Sequence, residues 1–104
     1  MDFIINGTKK EGQLTLDEEL TIQNAIEIRD SLLKAIGSVE HTVLDMKNVT
    51  AVDVSFLQII VSALYTASTL KKNISIVNIA QSFMDVVEKS GFTHVVKTIT
   101  DKAV

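Results

Sequence analysis

The fold of this 104-residue chain is decided by residues 43–60, which read VLDMKNVTAVDVSFLQII. The run opens within a β-branched apolar segment at 42–46, which predicts a buried strand carrying the acid Asp45 near its end. After a polar connection, Asp53 precedes a segment with apolar residues at helical spacing, which predicts a helix over about 54–70. A buried strand followed closely by such a helix indicates an α/β fold.

The residues before this run predict two short strands and a helix. Apolar and polar residues alternate over 1–6 and 13–16, and the glycines between them favour a turn that includes Gly12. The helix that follows is expected to stop at Gly37. Its apolar face is predicted to consist of Ile22, Ala25, Ile26, Leu32, Leu33 and Ile36.

The residues after this run predict another strand at 74–79 and a third helix. Asn73 is expected to supply the left-handed cap of the second helix. Ser82 is expected to open the third helix in a weak capping box, and Gly91 to end it. The tail at 95–104 fits either a strand or a short helix.

The predicted order is β-β-α-β-α-β-α in one domain over residues 1–104. Because strands alternate with helices, we expect a sheet that is parallel over most of its width.

Composition excludes several classes of function before any motif is considered. The chain is 46% hydrophobic with a net charge of −3, which excludes a disordered chain and makes nucleic acid an unexpected partner. It contains no cysteine, so thiolate metal sites and cysteine nucleophiles are excluded. The longest near-apolar stretch, 56–64, is too short to insert across a bilayer. We therefore expect a cytoplasmic protein.

The predicted second helix has a polar face without charge. Ordinary solvated faces carry Lys or Glu, whereas a neutral face flanked by Phe56 and Ile59 suits docking. A buried helix whose polar face happens to lack charge explains the pattern equally well. On a helical wheel this face consists of Ser55, Gln58, Ser62, Tyr65, Thr66 and Thr69.

Ser55 has two interpretations at the start of this helix. With Asp53 as the N-cap, Ser55 is simply a first-turn residue. Alternatively, it is a phosphoacceptor, because a helix N-terminus favours phosphate and the added charge would alter a neutral docking surface.

Several stretches of the chain resemble STAS domains, the family of anti-sigma-factor antagonists, and they occur in the same order as in that family. Residues 43–60 resemble its signature, in which a strand ends in an acid and an Asp precedes hydroxyl residues and usually a glycine at a helix start. Residues 19–25 (ELTIQNA) resemble the loop before the first helix. Residues 76–78 and 86–92 resemble the fourth strand and the end of the third helix. The resemblance covers nearly the whole chain and implies a mixed four- to five-stranded sheet with helices packed against it.

What the resemblance implies is a non-enzymatic switch. The partner would be an anti-sigma factor that is also a serine kinase; phosphorylation would release it, and a phosphatase would reset the system. The acceptor then corresponds to Ser55, the leading acid to Asp53, and Thr21 lies in the loop near the acceptor. The chain departs from the family pattern at Val54, where a small hydroxyl residue is usual, and at Phe56, where glycine is usual.

These arguments predict a partner-binding surface and no cofactor or metal site. His41 and His94 lack metal-ligand spacing, and the glycines form no phosphate-binding loop. The predicted surface consists of Thr21, Asn24, Asp53, Val54, Ser55, Phe56, Gln58, Ile59 and Ser62.

Two alternatives stay open. The first keeps the fold but makes the protein a phosphorylation-independent subunit or scaffold of a larger complex, such as a chemosensory or lipid-transport assembly. The second, from another class, is a receiver-like module that uses Asp45 as its phosphoacceptor. The acidic run at 17–19 is interpreted as a solvated loop.

Overall fold

The computed structural model describes residues 1–6 and 10–91, and the predicted tail element lies outside them. The elements are β1 (Asp2–Asn6), β2 (Glu11–Thr15), β3 (Glu19–Leu20), a 3-10 turn (Ile22–Asn24), α1 (Ala25–Ser38), β4 (His41–Asp45), β5 (Ala51–Val52), α2 (Val54–Thr69), β6 (Asn73–Val77) and α3 (Gln81–Ser90). The predicted order is confirmed for the main elements, and the structure adds β3, β5 and the 3-10 turn.

The main sheet is mixed, as expected, with strand order β1-β2-β4-β6. Strand β1 runs antiparallel to β2, whereas β4 pairs in parallel with both β2 and β6. Parallel neighbours need crossover connections, which α1 and α2 supply. Leu14, Leu44 and Ile76, from three adjacent strands, are almost fully buried in the core with side chains of all three helices.

Helix α1 ends later than predicted. It continues through Gly37 to Ser38 because Lys72, after α2, reaches its last turn. The Lys72 ammonium donates to the carbonyl oxygens of Ile36 at 2.9 Å and Gly37 at 3.2 Å. Since these carbonyls have a partner, the helix needs no glycine stop there.

The buried face of α1 also differs from the prediction. Ile22 and Ile26 are each 69% exposed, and Leu33 is exposed as well. Leu32 and Ile36 are buried as predicted. The exposed residues form a second apolar stripe along the helix, and because both stripes have helical spacing, the sequence does not say which one faces the sheet. The buried residues are Ile28, Leu32, Ala35 and Ile36.

Three predicted helix ends can be compared with the structure. Gly91 has the left-handed conformation expected of a helix stop, with φ of 81°. The left-handed residue after α2 is Lys71 rather than Asn73, which already belongs to β6. The predicted capping box of α3 is wrong because Ala80 is the N-cap, and the Asp85 carboxylate accepts from the Gln81 amide instead.

Gly12 lies inside β2 rather than in the turn. The aromatic ring of Phe3 on β1 packs over it, and a Cβ atom at Gly12 would lie 2.7 Å from that ring. Close approach of a ring, not turn geometry, is therefore what requires glycine here.

Candidate functional site

The carboxylate of Asp53 holds the start of α2. Its Oδ1 accepts from the backbone N–H of Ser55 at 2.9 Å, which confirms Asp53 as the N-cap. Its Oδ2 accepts from the backbone N–H of Ile22 at 3.0 Å. One side chain therefore joins the start of α2 to the 3-10 turn before α1.

The loops beside this junction are joined by the short strands β3 and β5. Glu19 pairs with Ala51 and Leu20 with Val52, in parallel. The backbone N–H of Asp53 then donates to the Leu20 carbonyl at 3.1 Å. Residues 17–19 are exposed, as expected of a solvated run, but Glu19 belongs to β3 rather than to a loop. A two-residue strand leaves no periodicity in the sequence, which is why the sequence does not predict it.

Thr21 and Asn24 lie next to this junction, where they stabilise the 3-10 turn. The side-chain oxygen Oδ1 of Asn24 accepts from the Thr21 backbone N–H at 2.9 Å. The side-chain amide of Asn24 donates to the Glu19 backbone carbonyl. Both residues are half-buried. These two predicted contact residues therefore stabilise the turn, and Asn24 lines a separate groove of about 500 Å³ beside residues 15–19.

A groove of about 240 Å³ runs between α1 and α2. It brings together four of the predicted contact residues and adds three that were not among them, of which Ile22 lies in the loop expected beside this surface. Ile26, one helical turn beyond Ile22, is exposed as well but is not among the residues that line the groove. The lining residues are Ser55, Gln58, Ile59 and Ser62 from α2, with Ile22, Ala25 and Arg29 from the other wall.

Phe56 does not belong to this surface. Its side chain is 1% exposed, and its ring packs edge-to-face on Phe83 with centroids 5.8 Å apart. The prediction that Phe56 flanks the docking surface is wrong because one residue of helix turns the side chain by about 100°, from groove to core. The ring is therefore part of the core beneath Ser55.

Val54 is exposed but lines a different groove, of about 310 Å³, between the start of α2 and the end of α3. The other residues there are Val86, Lys89 and Ser90. Although Val54 and Ser55 are adjacent in the chain, their side chains therefore line separate grooves.

Asp45, the phosphoacceptor in the receiver-like alternative, is a buried carboxylate that accepts hydrogen bonds from three segments of the chain. Its side chain is 5% exposed. One oxygen accepts from the backbone N–H of Lys47 at 2.9 Å and the Asn78 amide at 3.0 Å, and the other accepts from the Gln13 amide at 3.1 Å. This carboxylate ties β2, β4 and the end of β6 together, and the geometry argues against phosphoryl transfer to it.

Within residues 1–6 and 10–91, no three His, Cys, Asp or Glu side chains are grouped as ligands for a metal ion. The His41 ring nitrogen Nε2 instead lies 2.8 Å from the Ser75 hydroxyl, and His94 is outside the described residues. Among the described helices, none has the length and apolar character needed to cross a membrane.

The chain belongs to the STAS domain family. The family model described as "Mlab, STAS domain" matches residues 5–98. No curated protein sequence matches the chain.

Solved structures show the same fold. The anti-sigma factor antagonist SpoIIAA in its unphosphorylated form has a TM-score of 0.69 at 17% identity, covering 86% of this chain and 81% of SpoIIAA. The Bacillus cell fate determinant SpoIIAA in the phosphorylated form gives 0.66 at 18% identity, covering 89% and 86%. SLC26A9 gives 0.71 at 15% identity, covering 81% of this chain but only 16% of that protein. At these identities the likeness establishes the fold.

Two substitutions of Asp53 separate its two contacts. Asn is as good an N-cap as Asp, so Asp53→Asn should keep the bond to Ser55 and lose the bond to Ile22, since only one oxygen remains. We expect Asp53→Ala to lose both bonds and about 1 kcal/mol of stability, and Asp53→Asn to lose less. Urea unfolding measures the stability, and amide hydrogen exchange should show faster exchange at Ile22 in both variants but at Ser55 only in Asp53→Ala. Unchanged exchange at Ile22 in both variants would contradict the assignment.

Proposed function

We propose that this protein is a non-enzymatic, cytoplasmic regulatory domain that binds a protein partner over the groove between α1 and α2 and is switched by phosphorylation of Ser55. The partner is of the kind that the family resemblance implies, an anti-sigma factor that is also a serine kinase, with a phosphatase that resets the switch. The observation that carries the proposal is the position of Ser55, a half-buried hydroxyl residue lining an apolar-edged groove.

The groove edge supports docking. Ile22 and Ile26 project from one face of the first helical segment and remain 69% exposed. Full burial of each such side chain by a partner contributes about 1.5–3 kcal/mol. Single exposed apolar residues are ordinary, but two in adjacent turns beside a groove form a patch that a partner can cover.

Phosphorylation of Ser55 would act directly on this surface. The Ser55 oxygen bonds to the γ-phosphorus of a nucleoside triphosphate held by the kinase, and the bond from that phosphorus to the bridging oxygen of the β-phosphate breaks. The Ser55 proton goes to a base of the kinase, and the nucleoside diphosphate leaves. The product adds nearly two negative charges beside the Asp53 carboxylate. Covering those charges with an apolar partner surface costs desolvation free energy, so the partner is released.

We expect Ser55→Asp to weaken partner binding by about tenfold or more, which corresponds to about 1.4 kcal/mol. Ser55→Ala should bind within about twofold of the unmodified protein and accept no phosphate. Ser68→Asp is the matched control, since Ser68 is exposed on the same helix and does not line the groove. Equal affinity of the Ser55→Asp and Ser68→Asp proteins would count against the switch.

The partner for this measurement comes from affinity capture in the source cell, with phosphosite analysis of the recovered protein. A co-purifying serine kinase with a single phosphate on Ser55 supports the switch.

The apolar residues on both sides of Ser55 favour a second candidate, a permanent subunit of a larger complex. Ile22 and Val54 are exposed beside two separate grooves, and large apolar contact areas are typical of obligate interfaces. In that case capture should recover unmodified protein in a stable multi-subunit complex, and Ser55→Ala should behave like the unmodified chain throughout.

A further inference from the structure

We propose that Arg29 is the intramolecular binding partner of a phosphate on Ser55, and that this pairing closes the groove between α1 and α2. The inference rests on the proposed phosphorylation of Ser55 and identifies how the modification acts on the docking surface.

The position of Arg29 is the first argument. Ser55 and Arg29 line the same groove of about 240 Å³ from opposite helices, and Arg29 is the charged residue among those that line it. Side chains in α-helices lean toward the helix N-terminus. The N-terminal end of α1 lies beside the start of α2, where Asp53 bonds to the backbone of Ile22. An Arg29 side chain that follows this lean would reach toward the end of the groove that contains Ser55, whereas its guanidinium now lies beside Asp30.

Asp53 supplies the second argument, because it restricts where a phosphate can go. Its carboxylate is fixed by two backbone N–H donors, those of Ser55 and Ile22. The N–H of Ser55 is therefore already occupied by a negative group. A phosphate on the Ser55 oxygen is repelled from this carboxylate and is driven toward the groove and the Arg29 cation that lines it.

The present contact of Arg29 is weak enough to be exchanged. Its guanidinium lies 3.3 Å from the Asp30 carboxylate, in a pair whose side chains are 57% and 65% exposed. Exposed pairs of this kind contribute little to stability, and adjacent residues in a helix do not face each other. A phosphate offers three acceptor oxygens and a double charge to the planar guanidinium fork.

The consequence is a change of surface without a change of fold. When the guanidinium crosses the groove to the phosphate, it covers part of the groove that Ala25 and Ile59 help to line. The partner then meets an ion pair where an open groove had been. Phosphorylation thus removes the docking site by closing it as well as by adding charge.

The test uses the full chain with phosphoserine incorporated at position 55 during translation, so that no kinase is needed. Phosphorus NMR follows the second ionisation of the phosphate against pH. We expect the midpoint in the phosphorylated chain that keeps Arg29 to lie about 0.5 pH unit or more below the midpoint in the phosphorylated Arg29→Gln variant, because a nearby cation favours the dianion. Arg29→Lys should restore part of the shift.

Lys34→Gln is the charge-matched control, since Lys34 is an exposed cation of the same helix that does not line the groove. The Lys34→Gln variant should have the same midpoint as the phosphorylated chain without this substitution. Identical midpoints in the Arg29 and Arg29→Gln proteins, or an equal shift in Lys34→Gln, would overturn the inference.

The same proteins separate this inference from the proposed function. If the midpoint shift is present but the phosphorylated chain binds the captured partner as tightly as the unmodified chain, the Arg29 pairing stands and the switch fails. If phosphorylation abolishes binding while Arg29→Gln leaves the midpoint unchanged, the switch stands and the Arg29 pairing fails.

Discussion

Replacing Phe56 by alanine should lower the free energy of unfolding by about 3–5 kcal/mol, the usual cost of truncating a buried aromatic side chain. The Phe56 ring is 1% exposed and packs edge-to-face on Phe83, at an interplanar angle of 72°. The loss combines the burial free energy of the ring with the cavity that it leaves. Because small domains have about 5–15 kcal/mol of stability, this single change removes a large share of it. Urea unfolding followed by circular dichroism measures the effect.

A double-mutant cycle with Phe83→Ala shows how much of the loss belongs to the ring pair. We expect a coupling of about 0.5–1.5 kcal/mol between the two aromatic side chains. Phe56→Leu is the control that keeps an apolar side chain, and it should cost clearly less than Phe56→Ala. A loss below about 1 kcal/mol for Phe56→Ala would show that the ring is not a core residue. We expect the glycine that is usual in the family at this position to leave a cavity of the same kind in this chain.

Replacing Asp45 by alanine should cost about 3 kcal/mol, the second large effect that we expect. Three donors point at this buried carboxylate: the Gln13 amide, the Lys47 backbone N–H and the Asn78 amide. Hydrogen bonds to a charged group contribute about 1.5–3 kcal/mol, and donors left without an acceptor cost desolvation free energy in addition. Thermal or urea unfolding measures the loss.

Asp45→Asn is the matched control because it keeps the shape and one acceptor oxygen. That oxygen can serve the Lys47 and Asn78 donors, while the Gln13 side chain rotates to accept from the new amide. We expect Asp45→Asn to lose about 1 kcal/mol, well below the alanine variant. Equal losses in the two variants would mean that the charge of Asp45, rather than its acceptor geometry, is what these contacts require.

Incubation with acetyl phosphate should leave Asp45 unlabelled.

Most of the fold could be predicted because its main elements have clear periodicity. The apolar strand that ends at Asp45, the N-cap at Asp53 and the glycine stop at Gly91 are all local signals, and the structure confirms each of them. Ser55, Gln58, Ile59 and Ser62 share one groove, as the spacing along one helix face indicated.

The remaining features depend on contacts between segments that are distant in the chain. Lys72 extends α1 past Gly37 from 35 residues away, which no local pattern reveals. Strands β3 and β5 have two residues each, which is too short to produce a recognisable alternation of apolar and polar residues. Ile22 and Ile26 were predicted to be buried because two apolar stripes run along α1, and only the packing against the sheet selects the one containing Ile28.

The linkage of Asp53 to both Ser55 and Ile22 has a thermodynamic consequence for binding. Ordering a flexible loop on association costs about 1–2 kcal/mol of backbone entropy per residue. Here the 3-10 turn, the β3–β5 pair and the first turn of α2 are already tied together before a partner arrives. Association therefore uses a preorganised surface and keeps most of the free energy that contact provides. If Ser55 is the switch proposed above, occupancy of the groove would follow its phosphorylation directly, without a slow refolding step in either direction.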